Sequence, residues 1–301
     1  MKINRIELSE IVDFMGDKVN TVYGNIENVY IDNLADVAHT NATTLDWVSS
    51  EKNDKQVIAE HSKARVVLVD KDVKPIEGKV LIVVDNPKTC LAEIGNYYFV
   101  SKPKTEIHPT AIISQDAKIG KDCHIGPYCV IGNVSIGEGC VLDAYVRVCD
   151  DVTIGRCCKI KTGAVLGGEG FGFEKDEYGN RFRFPQIGGI IIGDNVEIGA
   201  NTCIDRGALS NTVIEDYAKI DNLCHIAHNV HIGKDVVVVA CSEISGSCEL
   251  GDGVWTGPNC CIRDQCNVGK NTKIGMGAVV VKHVPENEVW AGNPARKFEK
   301  K

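Results

Sequence analysis

Among the eight histidines of this chain, His228 has the setting that proton transfer needs. It stands in Asp221-Asn-Leu-Cys-His-Ile-Ala-His-Asn229, within a stretch whose apolar residues recur every six positions. Ile214, Ile220, Ile226, Ile232, Val238, Ile244, Leu250, Thr256, Ile262, Val268, Ile274 and Val280 keep that step, and only Thr256 is not aliphatic. If three hexads close one coil, positions eighteen apart lie over one another, and His228 meets Gly246 of Ile244-Ser-Gly-Ser247. A period of six does not by itself set three sides. Given that coil, the imidazole takes a proton from an attacking nucleophile while a bare backbone N–H holds an oxyanion. Without it, a histidine at a turn is an ordinary solvated residue.

The element that positions these residues is a solenoid. A helix repeats its apolar positions every three or four residues and a half-buried strand every two. A strict six fits neither. It fits very short strands joined by turns, with the aliphatic residue inward and a small residue two positions ahead. Gly often follows the inward residue (Gly233, Gly251, Gly257, Gly269, Gly275), and it is expected to let the chain bend. The sixes run from Ile107, with one five-residue rung before Ile136, and break after Leu166 for about two dozen residues. That break carries Phe171, Phe173, Phe182 and Phe184 and reads as a site loop, because loops on a rigid scaffold often carry function. A smaller excursion covers Asp205–Thr212.

Fourteen cysteines suggest metal sites or disulfides, but Cys123, Cys129, Cys140, Cys158, Cys224, Cys248, Cys260 and Cys266 all sit two before an inward aliphatic residue. There they act as small hydrophobes filling a cramped position. No Cys-x-x-Cys pair occurs, so no metal site is expected. A formal net charge of −8 argues against nucleic-acid binding. No apolar run reaches the roughly 18–20 residues of a membrane span, and Met1-Lys-Ile-Asn-Arg-Ile-Glu7 lacks a signal-peptide core. A cytoplasmic setting is expected.

Residues 1–103 do not read in sixes and predict a small α/β domain. Ile6–Phe14, Lys52–Ser62 and Asn86–Phe99 read as helices. Thr44–Ser49, Val66–Val69 and Val80–Val84 read as strands. Strands around a turn at Tyr23-Gly-Asn25 and a short helix over Asn33–Ala38 complete it. Residues 104–284 form the solenoid and 285–301 a short tail without a long helix.

Gly167–Phe173 with Pro185-Gln-Ile-Gly, Ile192–Ala200, Ile204-Asp-Arg-Gly-Ala-Leu209 and Ile226-Ala-His-Asn-Val230 together resemble the UDP-3-O-acylglucosamine N-acyltransferases of the lipid A pathway. The likeness spans most of the chain. It implies a mainly β fold, a left-handed parallel β-helix of triangular coils behind a uridine-binding domain, assembled as a homotrimer. It places the catalytic base on His228 and the oxyanion glycine on Gly246. Asp221 and Asn222 match the family's Asp-Asn before the base, with Asp221 expected to orient the imidazole or raise its basicity. A second family histidine aligns with Gln265. The aromatic that holds the uracil aligns with Trp47, and Ser50 and Asn53 stand where the family has Asn and Tyr. In place of the family's C-terminal helical extension, Ala291-Gly-Asn-Pro-Ala-Arg296 looks like the ending of coenzyme A-dependent sugar acetyltransferases, which makes Gly292, Asn293 and Pro294 candidate donor-binding residues.

The expected reaction transfers an acyl group from a thioester to the amine of a UDP- or dTDP-linked amino sugar, with no permanently bound cofactor. The donor is an acyl-CoA or a 3-hydroxyacyl carrier protein. Competing readings are a non-catalytic β-helix scaffold or nucleotide-sugar-binding module, and a zinc-dependent γ-class carbonic anhydrase.

Overall fold

The computed structural model describes residues 5–35 and 37–298. Met1–Asn4, and with them the start of the signal-peptide reading, lie outside the described residues, as does the Lys300–Lys301 end. The chain divides into two compact units, one ending at Lys102 and the other beginning at Pro103.

In the first unit, Val19–Tyr23, Val80–Val84, Val66–Val69 and Leu45–Trp47 form one sheet in that order. The last three strands are parallel and Val19–Tyr23 is antiparallel. Val66–Val69 and Val80–Val84 are buried throughout, as a parallel sheet covered on both faces requires. Their alternation splits the core. Val66, Leu68, Val80, Ile82 and Val84 join one apolar cluster, while Val67, Val69, Leu81 and Val83 join the other. The helix Leu8–Met15 buries Leu8, Ile11 and Met15, one face at helical spacing. The helix Pro87–Ile94 starts with Pro in its first turn, and Asn86 Oδ1 accepts from the Thr89 N–H at 3.1 Å.

Strands do flank the turn at Tyr23-Gly-Asn25, while the expected helix over Asn33–Ala38 is absent among the described residues. Val19–Tyr23 and Tyr30–Ile31 are both strands, yet they do not pair with each other. The first pairs with Val80–Val84 and the second with Ile6–Glu7. Asn25 Oδ1 accepts from the Glu27 N–H at 2.8 Å, so a local polar turn carries the chain away instead of folding it back. The described residues of Asn33–Ala38 do not form the expected helix. Asn33 bridges to Thr44, and only Val37–His39 forms a single 3₁₀ turn.

The second unit is a parallel β-helix. Ile226 pairs with Ile244 and Ile244 with Ile262; Ile232 pairs with Leu250 and Val238 with Thr256. Three hexads therefore make one coil. Among the described residues the faces are sheets of nine, eight and ten strands. We call the face holding His225–Ile226 the first, that holding His231–Ile232 the second and that holding Val237–Val238 the third. The inward column and the small residues before it make one continuous core. In the column of small residues, Ser242 Oγ donates to Val239 O at 2.7 Å and Cys260 Sγ to Gly257 O at 2.9 Å.

The bends are not made by the glycines that follow the inward residues. Left-handed φ belongs to corner residues such as Leu223 (58°), Asn229 (61°), Cys241 (61°) and Ser247 (57°). Gly257 and Gly269 answer a different demand. A Cβ at Gly257 would lie 2.6 Å from Met276 N, and one at Gly269 2.3 Å from Glu286 N. These glycines admit the neighbouring coil.

Both interruptions leave from the corner between the first and second faces. One lies between Val165–Gly168 and Ile190–Ile192, the other between Cys203–Asp205 and Thr212–Ile214. The larger contains a β-hairpin pairing Phe173–Lys175 with Arg181–Arg183, and its turn is held by Asp176 Oδ1, which accepts from Tyr178 and Asn180 N–H at 2.9 and 2.8 Å.

Candidate active site

His228 occupies that same corner, one coil beyond the smaller interruption. Ile226 is wholly buried and Ala227 nearly so, which turns the next side chain outward. Asn229 then takes the left-handed conformation, one that Asn tolerates well. Its side chain is held on every side. Oδ1 accepts from Ala208 N–H at 3.1 Å, Nδ2 donates to Ser210 Oγ at 2.8 Å, and the backbone N–H donates to Thr212 Oγ1 at 2.9 Å. These contacts assign the amide's orientation, and the same Oδ1 lies 3.0 Å from His228 Nδ1. An amide oxygen only accepts, so Nδ1 carries a hydrogen, and in the neutral ring the lone pair is on Nε2.

The imidazole is bracketed by two glycine backbones. A Cβ at Gly246 would lie 2.8 Å from Cε1 and 2.9 Å from Nε2. On the other side, a Cβ at Gly170 in the larger interruption would lie 2.9 Å from both Cβ and Cδ2 of His228. The coils are tied together here by the Ser247 N–H donating to His228 O at 3.0 Å. The Gly246 N–H has no acceptor among the described residues. The structure thus brings together the two residues that the eighteen-residue spacing pairs: a ring held at Nδ1 by an amide oxygen and an unused backbone donor.

Gln265 shares the corner one coil further on, where its N–H donates to Gly246 O at 2.9 Å and its side chain is exposed. Phe171 and Phe173 belong to the interruption and meet edge to face with centroids 5.0 Å apart. Phe171 is 86% exposed, and Arg183 lies over the Phe173 ring at 4.9 Å while donating to Gly170 O at 3.0 Å.

Other expected residues lie elsewhere. Asp221 follows a third-face strand and sits at the corner between the third and first faces. Its Oδ1 accepts from Asn222 N–H at 2.7 Å and its Oδ2 from Ala240 N–H at 3.2 Å. Within this chain it therefore does not orient His228; Asn229 does. Asn222, at the same corner, accepts from Ala200 N–H through Oδ1 at 2.6 Å. Gly292, Asn293 and Pro294 form the turn between Val289–Ala291 and Arg296–Lys297, again beyond the third face, where Gly292 O accepts from Val279 N–H at 3.0 Å. Trp47, in the first unit, ends the strand Leu45–Trp47 half-buried against that unit's core. His231, on the second face, has Nε2 2.9 Å from Glu215 Oε1.

Sequence reasoning missed three residues near His228. Asn229 could have been found from its place directly after the histidine. Gln186 is only 7% exposed, and its Oε1, 2.8 Å from a Cβ built on Gly170, has no partner among the described residues. Asp205 is 14% exposed at its side chain and lies 3.6 Å from His225 Nε2 through Oδ2. Burial pushes the Asp205 carboxyl up and the nearby Glu243 adds to this, while His225 and His228 pull it back down. Among the described residues no group of three or more His, Cys, Asp or Glu could hold a metal ion, and no helix is long and apolar enough to cross a membrane.

Residues 133–168, 211–246 and 247–282 match the family described as bacterial transferase hexapeptide (six repeats). The UDP-3-O-acylglucosamine N-acyltransferase of Pseudomonas fluorescens (strain Pf0-1) is 40% identical over 263 residues, covering 80% of this chain and 73% of that protein. The enzyme of the same name from Pseudomonas syringae pv. tomato is 38% identical over 260 residues, covering 79% and 72%. Among solved structures, the UDP-N-acetylglucosamine acyltransferase of Francisella novicida superposes with a TM-score of 0.59 at 27% identity, covering 64% of this chain and 70% of that one. The corner geometry, the repeats and these likenesses converge: the chain belongs to the UDP-3-O-acylglucosamine N-acyltransferase family and is an acyltransferase.

Proposed function

We propose that this chain transfers an acyl group from a thioester donor to the amine of a nucleotide-linked amino sugar, with His228 as general base and Gly246 as oxyanion donor. The observation that carries the reading is the setting of the His228 ring: Nδ1 is held by Asn229 Oδ1, and Nε2 lies beside the Gly246 backbone, whose N–H has no acceptor among the described residues. The amine lone pair attacks the thioester carbonyl carbon and a C–N bond forms, while His228 Nε2 takes the amine proton. The oxyanion forms against the Gly246 N–H. Its collapse breaks the C–S bond, and His228 returns the proton to the departing thiolate. A positioned base contributes roughly 10²–10⁴-fold, and one oxyanion donor about 10²–10³-fold. No covalent intermediate with the protein is required.

The names of the Pseudomonas relatives support a UDP-linked acceptor; dTDP is the alternative base. Trp47 is the proposed platform for that base, and Phe171, Phe173 and Gln265 are proposed to line the acceptor and acyl path. Two donors remain in play: a 3-hydroxyacyl carrier protein, and an acyl-CoA held by the Gly292–Pro294 turn. Assembly as a homotrimer is part of the proposal.

The test is His228→Ala, assayed in single turnover with acetyl-CoA, 3-hydroxybutyryl-CoA and a 3-hydroxyacyl carrier protein. A loss of about 10²-fold or more with the preferred donor is expected. Turnover within a factor of about three of the unsubstituted protein sinks the mechanism.

A further inference from the structure

Asp205 is a charge the fold keeps at a cost. It ends the strand Cys203–Asp205, whose Ile204 points into the core, so Asp205 faces outward at the corner where the smaller interruption begins. Yet its side chain is only 14% exposed. Among the described residues no hydrogen bond reaches its carboxylate, and Oδ1 lies 3.8 Å from where a Cβ on Gly168 would stand.

The cation next to it in sequence does not neutralise it. Arg206 turns away and donates through its guanidinium to Asp150 O at 2.8 Å and to Asp151 Oδ2 at 3.0 Å. The charged and titratable groups that face Asp205 are Cys203 on its own strand, His225 on the adjoining strand, Glu243 one coil further on, and His228, which follows by two residues the Ile226 that pairs with Ile204. Among the described residues, histidines are the cations placed to meet this carboxylate.

We propose that Asp205 is the charge partner of His228, acting through the ring and not on the substrate. The inference rests on His228 being the base, and it assigns to Asp205 a role that, within one chain, Asp221 is too far around the coil to fill. When Nε2 takes the amine proton, a cation appears beside a fixed, poorly solvated anion, and the pair is held until the thiolate recovers the proton. Burial strengthens this interaction because little water screens it. His225, 3.6 Å from the same carboxylate, shares the anion and keeps it in place.

The experiment is a histidine ¹⁵N NMR titration of the full-length protein, with Asp205→Asn and Asp205→Glu alongside it. His228 and His225 resonances are assigned by His228→Gln and His225→Gln. In Asp205→Asn, His228 should gain its second proton at a pH lower by about half a unit or more, and Asp205→Glu should largely restore it. In turnover assays Asp205→Asn should lower kcat by about tenfold or more with KM nearly unchanged, and the acid limb of the rate profile should move to lower pH. A His228 titration identical in Asp205→Asn and the unsubstituted protein overturns the proposal. If Asp205→Asn fails to fold, the reciprocal measurement replaces it. The ¹³C carboxyl signal of Asp205 should titrate at higher pH in His228→Gln than in the unsubstituted protein, and no difference overturns the proposal. Both titrations are readable without turnover, so a failed acylation assay with intact coupling would sink the assigned reaction and leave the pairing standing.

Discussion

Gly246 passes so close to His228 that a Cβ at that glycine would lie 2.8 Å from Cε1 and 2.9 Å from Nε2. The contact is with a side chain held in place, since Asn229 grips Nδ1 and the Gly170 backbone closes the opposite side. Gly246→Ala must therefore push the ring off its site. The variant should lose about 10²-fold or more in kcat and about 1–3 kcal/mol in stability from overpacking. The two effects are separable. In a His228→Ala background the added methyl has room, so the stability cost of Gly246→Ala should nearly vanish there. A double-mutant cycle on Tm reads this. Additive costs would show that the methyl clashes with something other than the ring.

The tautomer of His228 depends on an amide, which gives a second prediction. Asn229→Asp keeps the acceptor for Nδ1–H and for the Ala208 N–H but replaces a dipole with a charge. An adjacent anion favours the imidazolium, so the base-dependent acid limb of kcat/KM should move to higher pH. Asn229→Ala removes the acceptor and forces a β-carbon residue other than Asn into a φ of 61°. It should cost roughly 1–2 kcal/mol of stability and about tenfold or more in kcat. If Asn229→Asp leaves the acid limb unmoved, the contact does not govern the ring's protonation.

Much of this corner was legible in the sequence because the period of six and the coil of eighteen place residues without any side-chain detail. His228 and Gly246 meet for that reason. The same arithmetic, applied to Asp221, would have corrected its reading. Seven residues before His228 in a six-residue rung means the preceding corner, so a carboxylate near in sequence is far around the prism. Asp205 was hidden for the opposite reason. It precedes His228 by more than one coil, with the smaller interruption between them, so no spacing rule connects the two. The role of the glycines was misjudged because sequence shows where a side chain is missing and not whether φ or a neighbour demands it. At Gly257 it is the neighbouring coil, while Asn229 and Cys241 make the bends. The strands on either side of Tyr23-Gly-Asn25 make a related point, since alternation marks strands but does not choose their partners.

Asp205 also carries a prediction about stability that is independent of catalysis. Its carboxyl is pushed above the ordinary value of 3.8, chiefly by burial. The native state therefore holds a proton that the unfolded chain has already released, and stability falls as pH rises from 3.8 through the raised value. At neutral pH that cost is fully present, and below the ordinary value it is gone. Asp205→Asn removes the charge, so it should raise Tm at pH 7 by about 1–3 °C even as it slows turnover. The gain should shrink toward zero as the comparison is moved to acid. A Tm lowered at neutral pH would mean that the ion pair with His225 outweighs the burial cost.

The inward column offers the last prediction, at the one rung where it is not aliphatic. Thr256 is wholly buried between Val238 and Ile274 of the adjoining coils, and its Oγ1 has no partner among the described residues. Ser242, a buried hydroxyl in the column of small residues, shows what satisfaction looks like here, with Oγ donating to Val239 O at 2.7 Å. Thr256 lacks an equivalent carbonyl because its side chain points to the core axis, where the neighbours are methyl groups. Replacing the hydroxyl by a methyl of the same shape removes a desolvated polar group and adds apolar contact. Thr256→Val should therefore stabilise the chain by about 1 kcal/mol, or raise Tm by roughly 2–4 °C. Kinetics should not change, since Thr256 lies on the third face, away from the His228 corner. A lower Tm would show that the hydroxyl is satisfied by a buried water, and the rung would then be polar by function of the core and not by tolerance.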